Sequence, residues 1–240
     1  MAQNVPAPGA DPRHKRFYRI GGVAAWLQLA MLVVIIVVTA TLGLKPTTAQ
    51  EYFSLYQDAR LEGLLRDDFA SLLVVGLYLG TFPGLYLALR RVDEVAVVFA
   101  TLFTLIAVTI TFTAHSGFSM IYLGEQYAAA TTAAERAQLL AAGEAVIASD
   151  MWNSSGGYVG GLLLQGAGVL ISAVMLRSRD FGKTTAYAGL LANAFDLTQH
   201  LLHPVVPSLS TILGLIAGLA YLFWFPLLGR DLSKLARRAE

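Results

Sequence analysis

The 240-residue chain has no cysteine. Disulfides, thiolate nucleophiles and thiolate metal sites are therefore excluded, and the redox compartment is left open. Charge is scarce as well: only 14% of residues are Asp, Glu, Lys or Arg, against about 25% in soluble domains. The formal net charge of +1 gives no bulk reason to expect nucleic acid. No glycine-rich phosphate loop sits between a strand and a helix, and no nucleophile elbow is present. There is no inverted repeat with paired broken helices of the kind secondary transporters carry. The first apolar run is too long for a cleavable signal peptide, whose apolar core has ~7–15 residues.

What the chain has in quantity is apolar sequence: 56% of its residues are hydrophobic and the mean hydropathy is +0.60. Six apolar segments near the ~20 residues that cross a bilayer can be marked. They are about Phe17 to Leu44, Asp68 to Leu89, Val95 to His115, Gly156 to Leu176, Thr184 to Leu202 and Ser208 to Leu228. The expected fold is all-α: a six-span transmembrane bundle over residues 17–229, with lipid as its main partner. Residues 1–16 are expected to form a disordered cytoplasmic start, and residues 230–240 a basic, helical cytoplasmic tail.

Two outer loops carry helix signals of their own. Thr48 with Glu51, and Thr132 with Glu135, have capping-box spacing. Short helices should start at both places, the second from Ala133 to about Ala148. Tyr52, Phe53, Leu55 and Tyr56 would let the first lie in the membrane interface. Gly76, Gly80 and Gly84 form a smooth stripe, as do the pairs Gly156/Gly160, Gly157/Gly161 and Gly214/Gly218. Such stripes let helices approach closely, either within the chain or in a homo-oligomer. Pro83 is expected to kink the second span.

Basic residues set the orientation. Thirteen of the 17 Lys and Arg residues fall on one side, among them Arg13, Lys15, Arg90, Arg91, Arg177 and Arg230. Lys45, Arg60, Arg66 and Arg136 fall on the other. A multi-pass plasma-membrane protein with both termini cytoplasmic is the expectation.

The candidate site is the stretch from Asn193 to Pro204. Asp196 is an acidic residue well inside an apolar segment, and such a residue is a functional hypothesis by default. At ~100° per residue, Asn193, Asp196, Gln199, His200 and His203 share an arc of ~120°. With this topology, His115, Asp67 and Asp68 lie at the same outer membrane level. Three readings stand open. Asp196 could be structural, hydrogen-bonded to Gln28, Gln165 or a threonine. The cluster could bind or sense protons or a small molecule from outside. Or His115, Asp196, His200 and His203 could hold zinc in a membrane hydrolase, since imidazole and carboxylate ligands suit that ion. Hydrolases of the ceramidase type use a similar set, but with seven spans and an H-x-x-x-H pair where this chain has H-x-x-H.

The order of features resembles a bacterial family of six-span membrane proteins of unknown function. Arg19-Ile20-Gly21-Gly22, the run Arg60 to Arg66, Arg177-Ser178, and Ala188-Gly189-Leu190-Leu191 with Phe195-Asp196 carry the resemblance. It covers about Arg16 to Leu232. It implies a fold and a topology but no activity, and His200 and His203 lie outside its pattern.

Overall fold

A computed structural model describes residues 11–67 and 69–239. Of the start expected to be disordered, residues 1–16, only 11–16 are described, and they form a turn and the beginning of a helix; the site candidate Asp68 also lies outside the described residues. Asp11 opens a short 3-10 turn, Pro12–His14, by accepting the Arg13 backbone N–H at 3.0 Å. Eleven α-helices follow among the described residues: α1 Lys15–Leu42, α2 Ala49–Asp58, α3 Arg60–Arg66, α4 Phe69–Gly76, α5 Tyr78–Leu89, α6 Glu94–Ala114, α7 Gly117–Ala129, α8 Ala133–Ala148, α9 Ser155–Arg177, α10 Lys183–Leu202 and α11 Pro207–Arg238. No strand occurs among them.

Among the described residues, five stretches are long and apolar enough to cross a membrane: Pro12–Leu42, Phe69–Leu89, Glu94–Ala129, Ser155–Arg177 and Pro207–Arg238. The expected fifth span, α10, is not among them. Its 20 residues reach the ~30 Å of a bilayer core. Asn193, Asp196, Gln199 and His200 lower its hydropathy below that of the others. The residues that make α10 interesting are those that weaken it as a span.

The interruption in the second span falls at Leu77, between α4 and α5. Its carbonyl takes the N–H of both Gly80 (3.0 Å) and Thr81 (3.1 Å) and also the Thr81 hydroxyl. Pro83 inside α5 lacks an N–H and its ring disturbs the turn before it, so the distortion sits N-terminal to the proline.

The chain divides into two compact units. The first comprises Met1–Leu29, Gly76–Ile106 and Leu162–Glu240. Helices α10 and α11 pack along each other here, around a fully buried core that includes Trp224, Phe82, Phe225, Leu85 and Leu228. Hydrophobic burial drives little association between helices already in lipid, so close packing must supply it. Glycine provides the closeness: a Cβ on Gly84 would come within 2.9 Å of the Phe17 carbonyl oxygen. One on Gly22 would meet the Gly229 carbonyl oxygen at 3.3 Å. Gly80 and Gly84 thus serve the close approach of α1 of the same chain, one of the two uses expected of the stripe. A Cβ on Gly218 meets nothing within 4 Å.

Residues 230–239 do not form a detached tail. α11 runs on to Arg238, and Leu232, Leu235, Ala236 and Ala239 are buried. Asp231 is buried with them and holds the start of α10, accepting from the Gly182 N–H (3.0 Å) and the Thr185 hydroxyl (2.6 Å). The N-terminus of α10 has no side-chain cap of its own, so a carboxylate from another helix takes that place.

The second unit comprises Ala30–Val75 and Ala107–Gly161. Both expected capping boxes are present, at Thr48/Glu51 and Thr132/Glu135. The face of α2 expected in the membrane interface is instead buried against protein. Tyr52, Phe53 and Tyr56 form a core with Met120 and Ile121 of α7, flanked by Leu140 and Val146 of α8. Gly143 permits this: a Cβ there would lie 2.6 Å from Ala49 Cβ. Glu144 accepts the Ala49 N–H at 2.8 Å. Buried Asp150 pairs with Lys45 at 3.1 Å.

Candidate functional site

Helix α10 places its polar face against α9 and α11 in the first unit. Asn193 is 1% exposed. Its Nδ2 donates to the Gly189 carbonyl of its own helix at 2.7 Å, which turns Oδ1 toward α11. There the Tyr221 hydroxyl lies 3.2 Å from Asn193 Oδ1, 2.9 Å from Asp196 Oδ2 and 2.7 Å from Gln165 Oε1 of α9. The site exists because Gly168 leaves room for it. A Cβ at position 168 would overlap Asn193 Oδ1.

On its other side Asp196 Oδ1 accepts from Gln199 Nε2 at 3.0 Å and faces His200 Nδ1 at 3.3 Å. His200 Nδ1 also lies 2.9 Å from the Asp196 carbonyl oxygen and 2.7 Å from Gln199 Nε2. Ser210 of α11 closes the cluster by donating to Gln199 Oε1 at 3.0 Å. The side chains of Asp196 and His200 keep 16% and 17% of their surface exposed, so this end of the network is reachable while Asn193 is sealed. His203 is exposed and does not join it. Its backbone N–H bonds the Gln199 carbonyl at the end of α10 (2.9 Å).

A second polar cluster lies in the other unit. Asp67 is 3% exposed and accepts from the hydroxyls of Tyr52 (2.8 Å) and Tyr56 (2.9 Å). Burial raises the Asp67 pKa, and the two hydroxyls pull against that rise. Burial and the carboxylate beside it push the Tyr56 phenol up. His115 joins through its ring: Nε2 lies 3.0 Å from the Asp67 carbonyl oxygen, and Nδ1 accepts the Gly117 N–H at 3.3 Å. With Nδ1 accepting and Nε2 donating, both ring nitrogens are taken. No lone pair remains for a metal while these bonds stand.

Of the residues singled out by sequence, Asn193, Asp196, Gln199 and His200 come together in one unit, and Asp67 and His115 in the other. Among the described residues, no group of three or more His, Asp or Glu side chains could hold a metal ion. Not anticipated as site residues were Tyr221, Ser210 and the pair Tyr52 and Tyr56. A signal for Tyr221 did exist, since a phenol in mid-span carries a hydroxyl that needs a partner. Gln165, one of the expected partners of Asp196, meets Tyr221 instead.

Comparison with family models, curated proteins and solved structures finds no match to this chain. Its chemistry has to be read from its own geometry.

Proposed function

We propose that this is a six-span, non-enzymatic plasma-membrane protein, with both termini cytoplasmic, that binds or senses protons at an outer-facing polar pocket centred on Asp196. The apolar stretches support the membrane setting, and the excess of Lys and Arg on one side supports the orientation. The resemblance to a bacterial six-span family of unknown function is in keeping with this. One observation carries the proton reading: the Tyr221 hydroxyl, with one proton to give, lies within hydrogen-bond reach of Gln165, Asn193 and Asp196. Asn193 cannot turn its amide to donate without giving up Gly189. A proton on Asp196 converts one acceptor into a donor to the Tyr221 oxygen and frees the tyrosine proton for Gln165. Buried polar groups left unmatched cost about 1–3 kcal/mol each, so a donor added at this cluster would relieve that mismatch. His200, in contact with the same carboxylate and partly exposed, offers a way in. Imidazole exchanges protons between pH 5 and 8.

Infrared difference spectroscopy of the purified protein between pH 8 and pH 5 tests this. A protonated-carboxyl band that disappears in Asp196→Asn is expected. The same band undiminished in that variant would sink the proposal.

A further inference from the structure

We infer that the second unit binds a zwitterionic aminophospholipid in a crevice beside the end of α1. The crevice has a volume of 290 Å³, near the lower bound of ligand pockets at ~300 Å³. Ile35 and Val38 of α1 and Ala70 of α4 give it apolar walls, and Lys45 and Arg66 line it too. It is continuous with a wider groove of 890 Å³, which shares Lys45 and Arg66 and adds Glu51 and Asp58. One site thus offers an apolar slot, then two cations, then two carboxylates.

That order is the order of groups along an aminophospholipid: acyl chain, phosphate, ammonium. α1 and α4 belong to stretches apolar enough to cross a bilayer, so a ligand entering between them comes from lipid. Arg66 is held still for the task. Its Nε and Nη2 donate to the Leu44 carbonyl at 3.0 and 2.7 Å, and Nη1 to Glu62 at 3.3 Å. A guanidinium has five N–H groups and suits phosphate recognition. Gly43, with φ +92°, makes the bend that brings the Leu44 carbonyl and Lys45 to this place, a backbone conformation glycine adopts without strain. The charge balance decides which headgroup fits. Lys45 already faces Asp150 and Arg66 already faces Glu62. A purely anionic headgroup would gain little net attraction here and would meet Glu51 and Asp58. A headgroup of both signs places its phosphate at the cations and its ammonium at the acids.

Native mass spectrometry of the full-length protein in detergent tests the site. The probes are equimolar phosphatidylethanolamine and phosphatidylglycerol, with free phosphoethanolamine and inorganic phosphate as competitors. The expected result is a preference for phosphatidylethanolamine of about tenfold, the worth of one charge-assisted contact, unaffected by either competitor. Val38→Trp fills the slot and should abolish the preference. Thr39→Trp, at an exposed position of the same crevice, serves if the first variant does not fold, as judged by circular dichroism. Asp58→Asn should weaken the preference while leaving total lipid retention unchanged. Equal retention of the two lipids, or a preference for phosphatidylglycerol, overturns the inference. So does displacement by inorganic phosphate, which would mark an ion site, and so does a folded slot-filling variant that keeps the preference.

Discussion

The Tyr221 hydroxyl lies 2.9 Å from Asp196 Oδ2, joining α11 to α10. Asp196 is thereby a tertiary ligand and not a charge adrift in an apolar helix. The same oxygen of Tyr221 meets Asn193 and Gln165, so three helices are tied at one atom.

Tyr221→Phe keeps the ring, which stacks on Phe225 at a centroid distance of 5.2 Å, and removes only the hydroxyl. Two buried acceptors and the partly exposed Asp196 then lose their shared donor. Thermal unfolding in detergent should show a loss of about 1–3 kcal/mol. The infrared carboxyl band assigned to Asp196 should also shift.

Gly168→Ala reaches the same cluster by a different route. Its Cβ overlaps Asn193 Oδ1 and must push that amide off Tyr221 or part α9 from α10. Overpacking of this kind costs about 1–3 kcal/mol. The lost stability should be largely non-additive with Tyr221→Phe in a double-mutant cycle, because both changes break one network.

Asp231→Ala should unpin the first turn of α10. The Gly182 N–H and Thr185 hydroxyl lose their buried carboxylate, at a cost of about 1.5–3 kcal/mol for bonds to a charged group. Hydrogen exchange should rise first at residues 182–186. Unchanged protection there would mean that helix packing alone holds this end.

The Asp67 cluster gives a pH dependence of definite sign. Its pKa in the folded chain is raised above the ordinary 3.8 by burial. The folded state therefore holds this proton more tightly than the unfolded state. The stabilisation is fully present below about pH 3.8 and is lost as pH rises through the raised value. Glu51 and Glu135 behave oppositely. Backbone N–H groups in the capping boxes lower their pKa values, so their stabilisation exists above the ordinary glutamate value and fades as pH falls. Asp67→Asn removes the first effect and keeps the second. The stability of the wild type relative to Asp67→Asn should therefore decline as pH rises from about 4. A difference independent of pH would show that Asp67 does not titrate in this way.

The sequence by itself determined the helices and the apolar character of most of them. Both capping boxes were legible, because a Thr and a Glu three residues apart act within a single turn. So was the shared face of Asn193, Asp196, Gln199 and His200, which follows from helical periodicity alone. Only the tertiary structure decided what that face meets. Tyr221 stands 25 residues from Asp196, and its arrival depends on the room left by Gly168 on a third helix. Tertiary packing likewise turned Tyr52 and Tyr56 from lipid anchors into donors to Asp67. An amphipathic face is equally compatible with a bilayer surface and with a protein core. The choice fell to α7 and α8, which cover it.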